Sequence, residues 1–140
     1  MKKVLIVFSI VLAVVLVFCL LFLPYLIDDM ACDKYKKEID AKITGVDEIN
    51  FLDSMNKCGN VANGNHTYLI VNALIETELT IESVKYKFPD AYRVMPFDEL
   101  YSESKEAKQF SKRVMNNGKN YFVLIYAKSA PFYFIDFRGH

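Results

Sequence analysis

Residues that carry chemistry are scarce in this chain. Its 140 residues hold two histidines, His66 and His140, and three cysteines, Cys19, Cys32 and Cys58. Neither a Cys-x-x-Cys nor a His-x-x-x-His spacing occurs, so no pattern calls for a zinc site, and no metal or cofactor is expected. No Gly-x-Ser-x-Gly context surrounds any serine, which removes the usual setting of a hydrolase nucleophile. No carboxylate lies between Asp53 and Glu76; the neutral oxygens of Asn60, Asn63 and Asn65 therefore lack the charge that a calcium loop requires. Gly59 and Gly64 have the spacing of the first two glycines of a phosphate-binding loop, but Asn65-His66 stands where Lys-Ser/Thr is needed and a strand pattern follows instead of a helix. An excess of one charge is missing too, with 17 basic and 17 acidic residues. Setting aside Lys2 and Lys3, the residues from Asp28 onward carry 15 basic against 17 acidic groups, a formal charge of −2, and nucleic acid is excluded as a partner. Repeats, low-complexity runs and proline-rich linkers are also absent.

What is abundant is apolar surface, concentrated at one end. The run Val4–Ile27 contains no charged residue, and as a helix it would reach about 36 Å, enough to cross a hydrocarbon layer of about 30 Å. Lys2 and Lys3 precede it and Asp28 and Asp29 follow, so the positive end is expected in the cytoplasm and everything after Ile27 outside it. The apolar core is longer than that of a cleavable signal, and Asp29 two residues before Ala31 spoils an A-x-A-like site. Ala31-Cys32 likewise lacks the aliphatic residue that a lipoprotein site wants at Asp29. The expected organisation is a membrane anchor over residues 1–27, a juxtamembrane helix over 28–45, and an extracytoplasmic domain over 46–140.

Tyr35, Ile39 and Ile43 recur every four residues among charges, which makes one apolar stripe on a helix that continues from the span or leans on the domain as a stalk. Lys34, Lys36 and Lys37 on that helix are interleaved with Asp33, Glu38 and Asp40, the pattern of a solvated face. Gly45 ends the helix. Val46–Lys57 is ambiguous, since Ile49, Leu52 and Met55 fit a helical face, but part of it is expected as a strand. Cys58–His66 has three asparagines and two glycines in nine residues and reads as a loop. In Thr67–Thr77, Leu69, Val71, Ala73 and Ile75 alternate onto one buried face, with Tyr68, Ile70, Asn72, Leu74 and Glu76 on a mixed second face. Thr80 caps a helix from Ile81 to about Phe88, stopped by Pro89. A short strand follows at Ala91–Met95. A longer helix from Asp98 or Ser102 to about Asn116 then presents Ala107, Phe110, Val114 and Met115 inward and stops at Asn117-Gly118. Tyr121–Ala127 and Phe132–Phe137 read as paired strands joined through Lys128–Pro131. The fold class is α+β: a transmembrane helix, then a small domain with a mostly antiparallel sheet and two or three helices.

Cys19 lies within the span and packs as a small apolar residue. Cys32 and Cys58 fall in the outer domain, where an oxidising compartment permits a disulfide. Closing its loop of about 27 residues would contribute about 3 kcal/mol. The rival reading is a reactive Cys58, paired with His66 in a cysteine-hydrolase arrangement. Asn65-His66-Thr67 has the form of a glycosylation sequon, which an ordinary turn also explains. At the other end, Asp136 and Arg138 share a strand face, either as an ion-pair clamp or as a site where Arg138, with His140 beside it, presents its guanidinium to a carboxylate or phosphate.

Taken together, the Cys-Gly and Asn-Gly-Asn loop, the apolar strand, the Thr-capped short helix and the terminal Asp-x-Arg-Gly-His resemble a group of small bacterial membrane-anchored proteins of uncharacterised function. The resemblance covers Lys57–His140 and implies an envelope setting without supplying an activity. The reading is therefore an anchored binding or interaction module that contacts the bilayer through residues 4–27 and an envelope protein or peptide through its domain. Its candidate ligand residues are Asn63, Asn65, His66, Arg138 and His140. The alternative is an envelope hydrolase using Cys58 and His66, or the Asp136, Arg138 and His140 terminus.

Overall fold

In the computed structural model, residues 2–59 and 66–133 are described. The segments expected as span and stalk are one continuous helix, α1, over Lys2–Thr44. Its side chains from Phe8 to Leu23 are all exposed, and the helix is long and apolar enough to cross a membrane. Beyond this the character of α1 changes. Asp28, Cys32, Ile39 and Ile43 are buried and Tyr35 is half-buried, a stripe at helical spacing that lies along the sheet. Gly45 follows the last helical residue.

The sheet has four antiparallel strands in the order β1-β2-β4-β3, with β1 at Asn50–Gly59, β2 at Tyr68–Thr77, β3 at Arg93–Pro96 and β4 at Asn120–Ser129. The α+β architecture is as the sequence pattern implies. Strand β1 resolves the ambiguous segment as extended. Its pairing with β2 slips between Phe51 and Asp53, leaving Leu52 as the additional residue of a β-bulge. Phe51 packs with the α1 face of the sheet, whereas Leu52 and Met55 both pack on the opposite face.

Two apolar layers enclose β2. On one side Ile39 and Ile43 of α1 meet Val71, Ala73 and Ile75 of β2, Phe122, Leu124 and Tyr126 of β4, and Val84 and Phe88 from helix α2 (Ile81–Lys87) and its end. On the other, Phe110 of α3 (Lys105–Phe110) covers Leu74, Met95 and Val123. The second face of β2 is thus buried like the first, and every residue from Leu69 to Thr77 is inaccessible. Its polar members are partnered. Asn72 Nδ2 donates to Glu106 Oε1 at 3.1 Å, Lys57 Nζ donates to the same oxygen at 2.8 Å, and Glu76 is bridged by Lys119 at 2.8 Å. These partners remove the desolvation cost that made a water-facing side look plausible.

Thr80 caps α2 as expected, its hydroxyl accepting from Ser83 N–H. The helix expected from Asp98 or Ser102 to Asn116 is much shorter. A single 3-10 turn occupies Phe97–Glu99; α3 starts only at Lys105, where Ser104 Oγ accepts from Ala107 N–H at 3.0 Å. The chain beyond Phe110 tightens through Lys112 N–H to Gln109 O and Arg113 N–H to Phe110 O. Ala107 and Phe110 point inward as expected, but Met115 is 63% exposed. Gly118, at φ 76°, makes the left-handed turn into β4. At the C-terminal end β4 extends through Lys128 and Ser129, and Pro131–Tyr133 form a turn, so the strand expected from Phe132 does not begin there. The remainder of that expected strand, residues 134–137, lies outside the described residues.

Candidate functional site

Of the residues singled out from the sequence, Cys32, Cys58 and His66 lie at the end of the domain nearest the apolar helix, where α1, the end of β1, the start of β2 and the end of β4 meet. Helical spacing on α1 places Asp28 and Cys32 one turn apart on the docked face. Strand pairing places Cys58 opposite Leu69 and Tyr68 opposite Ser129. Cys32, Leu69 and Ala130 form the buried centre of this corner, with Ala31, Tyr35 and Cys58 packed around it.

Cys32 and Cys58 are brought side chain to side chain. Both carry thiols, as does Cys19, and no disulfide is formed among the described residues. Cys58 Sγ also lies 3.5 Å from the backbone carbonyl of Asp28. The Cys32 thiol is lowered from the ordinary value of 9.0 to about 7. The side-chain hydrogen bond with Cys58 is the main cause; burial opposes it, while the Ile70 backbone and the Asn56 amide add to the lowering and Asp33 opposes it. Asn56 is itself held by Asp33, Nδ2 to Oδ1 at 2.7 Å.

A second set of contacts ties the chain ends of β2 and β4 to the same place. Thr67, fully buried, donates its N–H to Tyr133 O at 3.3 Å and accepts from Ala130 N–H at 3.1 Å. Asp28 Oδ1 accepts from Phe132 N–H at 3.0 Å. The rings of His66 and Tyr133 meet edge to face, with centroids 5.0 Å apart. Beside this corner runs an open groove of about 270 Å³ between α1 and β4, lined by Lys34, Tyr35, Glu38 and Lys128 among others. Lys128 Nζ sits 4.1 Å from the centre of the Tyr35 ring.

Of the predicted ligand residues, His66 is described and exposed, while Asn63, Asn65, Arg138 and His140 lie outside the described residues, as does Asp136. The structure joins Cys58 to Cys32 and His66 to Tyr133, contacts that a hydrolytic Cys58 and His66 pair does not explain. Among the described residues no group of three or more His, Cys, Asp or Glu side chains is placed to hold a metal ion. Sequence reasoning missed Asp28 and Thr67. Asp28 was within reach, because it extends the buried stripe of α1 backward at helical spacing, but a carboxylate at that position reads as the polar flank of a span. Thr67 carried no signal, since its role is made by backbone groups. The chain matches no protein-family model, no curated protein and no solved structure.

Proposed function

We propose that this protein is a single-pass membrane protein, its N-terminus cytoplasmic, that holds a small extracytoplasmic α+β module against the membrane to bind an envelope protein or peptide. The observation that carries this reading is the continuity of α1, bare along its apolar half and built into the sheet's core at Ile39 and Ile43. A tether needs only to be long; a helix shared with the core fixes the height and orientation of the module over the bilayer. Lys2 and Lys3 before the span support the orientation. The ligand surface in this reading is the membrane-proximal corner, where the exposed His66 meets the Tyr133 ring. The resemblance of Lys57–His140 to small membrane-anchored bacterial proteins points the same way.

Topology is tested by labelling. In a Cys19→Ser, Cys32→Ser, Cys58→Ser background, the exposed Ser102→Cys is expected to react with a membrane-impermeant maleimide on intact cells; reaction only after permeabilisation would overturn the orientation. For binding, a photo-crosslinking residue at His66 is expected to give one discrete protein or peptide adduct, reduced by Arg138→Ala. Crosslinks to lipid alone would count against the module reading.

A further inference from the structure

We propose that Cys32 and Cys58 are a thiol–disulfide exchange pair, which takes small or protein disulfides as oxidant and closes into a covalent latch between the docked helix and the edge strand. Three observations lead there. The two cysteines are 26 positions apart in sequence yet packed together in one cluster, on different elements. Their exposures differ, Cys32 being 3% accessible and Cys58 half-buried, so an incoming disulfide meets one sulfur before the other. Finally, Asp28 O lies within 3.5 Å of Cys58 Sγ, which fixes that thiol between the α1 backbone and Cys32.

The chemistry follows from that asymmetry. Cys58 passes its proton to the adjacent Cys32 sulfur and attacks one sulfur of the external disulfide; the external S–S bond breaks, a mixed disulfide forms on Cys58, and the leaving thiolate takes up the proton. Cys32 then attacks the Cys58 sulfur and expels the second thiolate. The pair gives up two electrons and two protons, and the external disulfide is reduced to two thiols. Cys32, inaccessible from outside but in contact with Cys58, is suited to the second step alone. Closure joins α1, one turn beyond Asp28, to the penultimate residue of β1. The membrane helix and the corner that carries His66 then move as one body. This chemistry is independent of the ligand reading, and its failure would leave that reading standing.

The test uses the full chain in detergent, with Cys19→Ser to remove the third thiol and oxidised glutathione as the probe. The expected product is a chain lighter by two hydrogens whose peptide map joins Cys32 to Cys58, reverting with dithiothreitol. Its Tm should be raised by on the order of 10 °C over the reduced chain. Cys32→Ser is expected to trap glutathione on Cys58, while Cys58→Ser leaves Cys32 unmodified until the chain is unfolded. A stable glutathione adduct on Cys58 with Cys32 intact would overturn the pairing. So would a folded chain in which neither thiol reacts although both react in denaturant.

Discussion

Asp28, the first residue past the apolar run, accepts the backbone N–H of Phe132 on Oδ1 at 3.0 Å, across 104 positions of the chain. The end of the apolar run is thereby tied to the turn after β4. Such a bond to a carboxylate contributes about 1.5–3 kcal/mol when its partner is shielded from water. Asp28→Ala is expected to lose that amount in chemical denaturation of the full chain in detergent and to speed exchange of the Phe132 amide. Asp28→Asn, which keeps an acceptor oxygen, should retain most of it. Equal stability of Asp28→Ala and the native chain, with unchanged Phe132 exchange, would show that the bond is not a tie.

Cys32 makes the reduced protein sensitive to pH. Its thiol is lowered in the folded chain from 9.0 to about 7, so folding favours the thiolate and the native state binds fewer protons than the unfolded one between those values. The stabilisation is complete above about pH 9 and is lost as pH falls through about 7. With Cys19→Ser and a reductant present, denaturation midpoints should fall across that window, and Cys32→Ser should abolish the slope. Asp33 works against the thiolate, so Asp33→Asn should move the fall to lower pH. A midpoint that rises as pH drops from 9 to 7 would contradict the sign.

How far the sequence shows this fold depends on where a single periodicity decides the structure. The long apolar helix, the Thr80 cap and the alternation of β2 are local, and each was readable. The second buried face of β2 was not, because Asn72 and Glu76 look solvent-directed until Glu106 and Lys119 are brought to them from distant parts of the chain. The length of α3 escaped for another reason, since Ser102, Ser104 and Asp98 all cap acceptably in sequence and only Ser104 Oγ meets Ala107 N–H. Half of the site was legible: compartment and count set Cys32 beside Cys58, which the fold packs together as thiols and not as the expected disulfide, whereas the contribution of Asp28 required the helix to dock.

Glu106 should behave as a buried acceptor more than as half of an ion pair. Its side chain is 12% exposed against 53% for Lys57, and it also receives Asn72 from the interior. Burial alone would raise its carboxyl, but the hydrogen bond from Lys57 and its charge, with Asn72 assisting, hold it below 4.5. The stabilisation from this group is therefore present above the ordinary carboxyl range and lost as pH falls through the lowered value. Glu106→Gln keeps an oxygen for Asn72 and is expected to cost below about 1 kcal/mol. Glu106→Ala leaves the Asn72 amide buried without its acceptor and should cost about 1–3 kcal/mol. If the glutamine variant is as unstable as the alanine one, charge is the dominant contribution and this account fails.

The bulge at Leu52 yields the sharpest structural contrast. Phe51 pairs with Ile75 and Asp53 with Leu74, so Leu52 is the residue without a cross-strand partner. Deleting it would bring Phe51 and Asp53 into regular succession with every other pairing unchanged. The cost is then only the packing of Leu52 itself, up to about 2 kcal/mol for a partly buried leucine, and the variant should fold. Deleting Asn56 from the regular part of the same strand shortens it by the same amount with a different result. With Lys57–Gly59 held in register, Met55 would move opposite Val71, Ser54 opposite Asn72 and Asp53 opposite Ala73. The bulge would be absorbed only by turning the Asp53 carboxylate toward Ile39 and Ile43 and away from Gln109 Nε2, which it now meets at 3.0 Å. An unpaired carboxylate in that layer is unaffordable for a domain held together by a few kcal/mol. The expected outcome is a cooperative unfolding transition for the Leu52 deletion and none for the Asn56 deletion, read by near-ultraviolet circular dichroism of the tyrosines. Equal effects of the two deletions would mean that β1 tolerates a slip in register and that its pairing does not depend on the bulge.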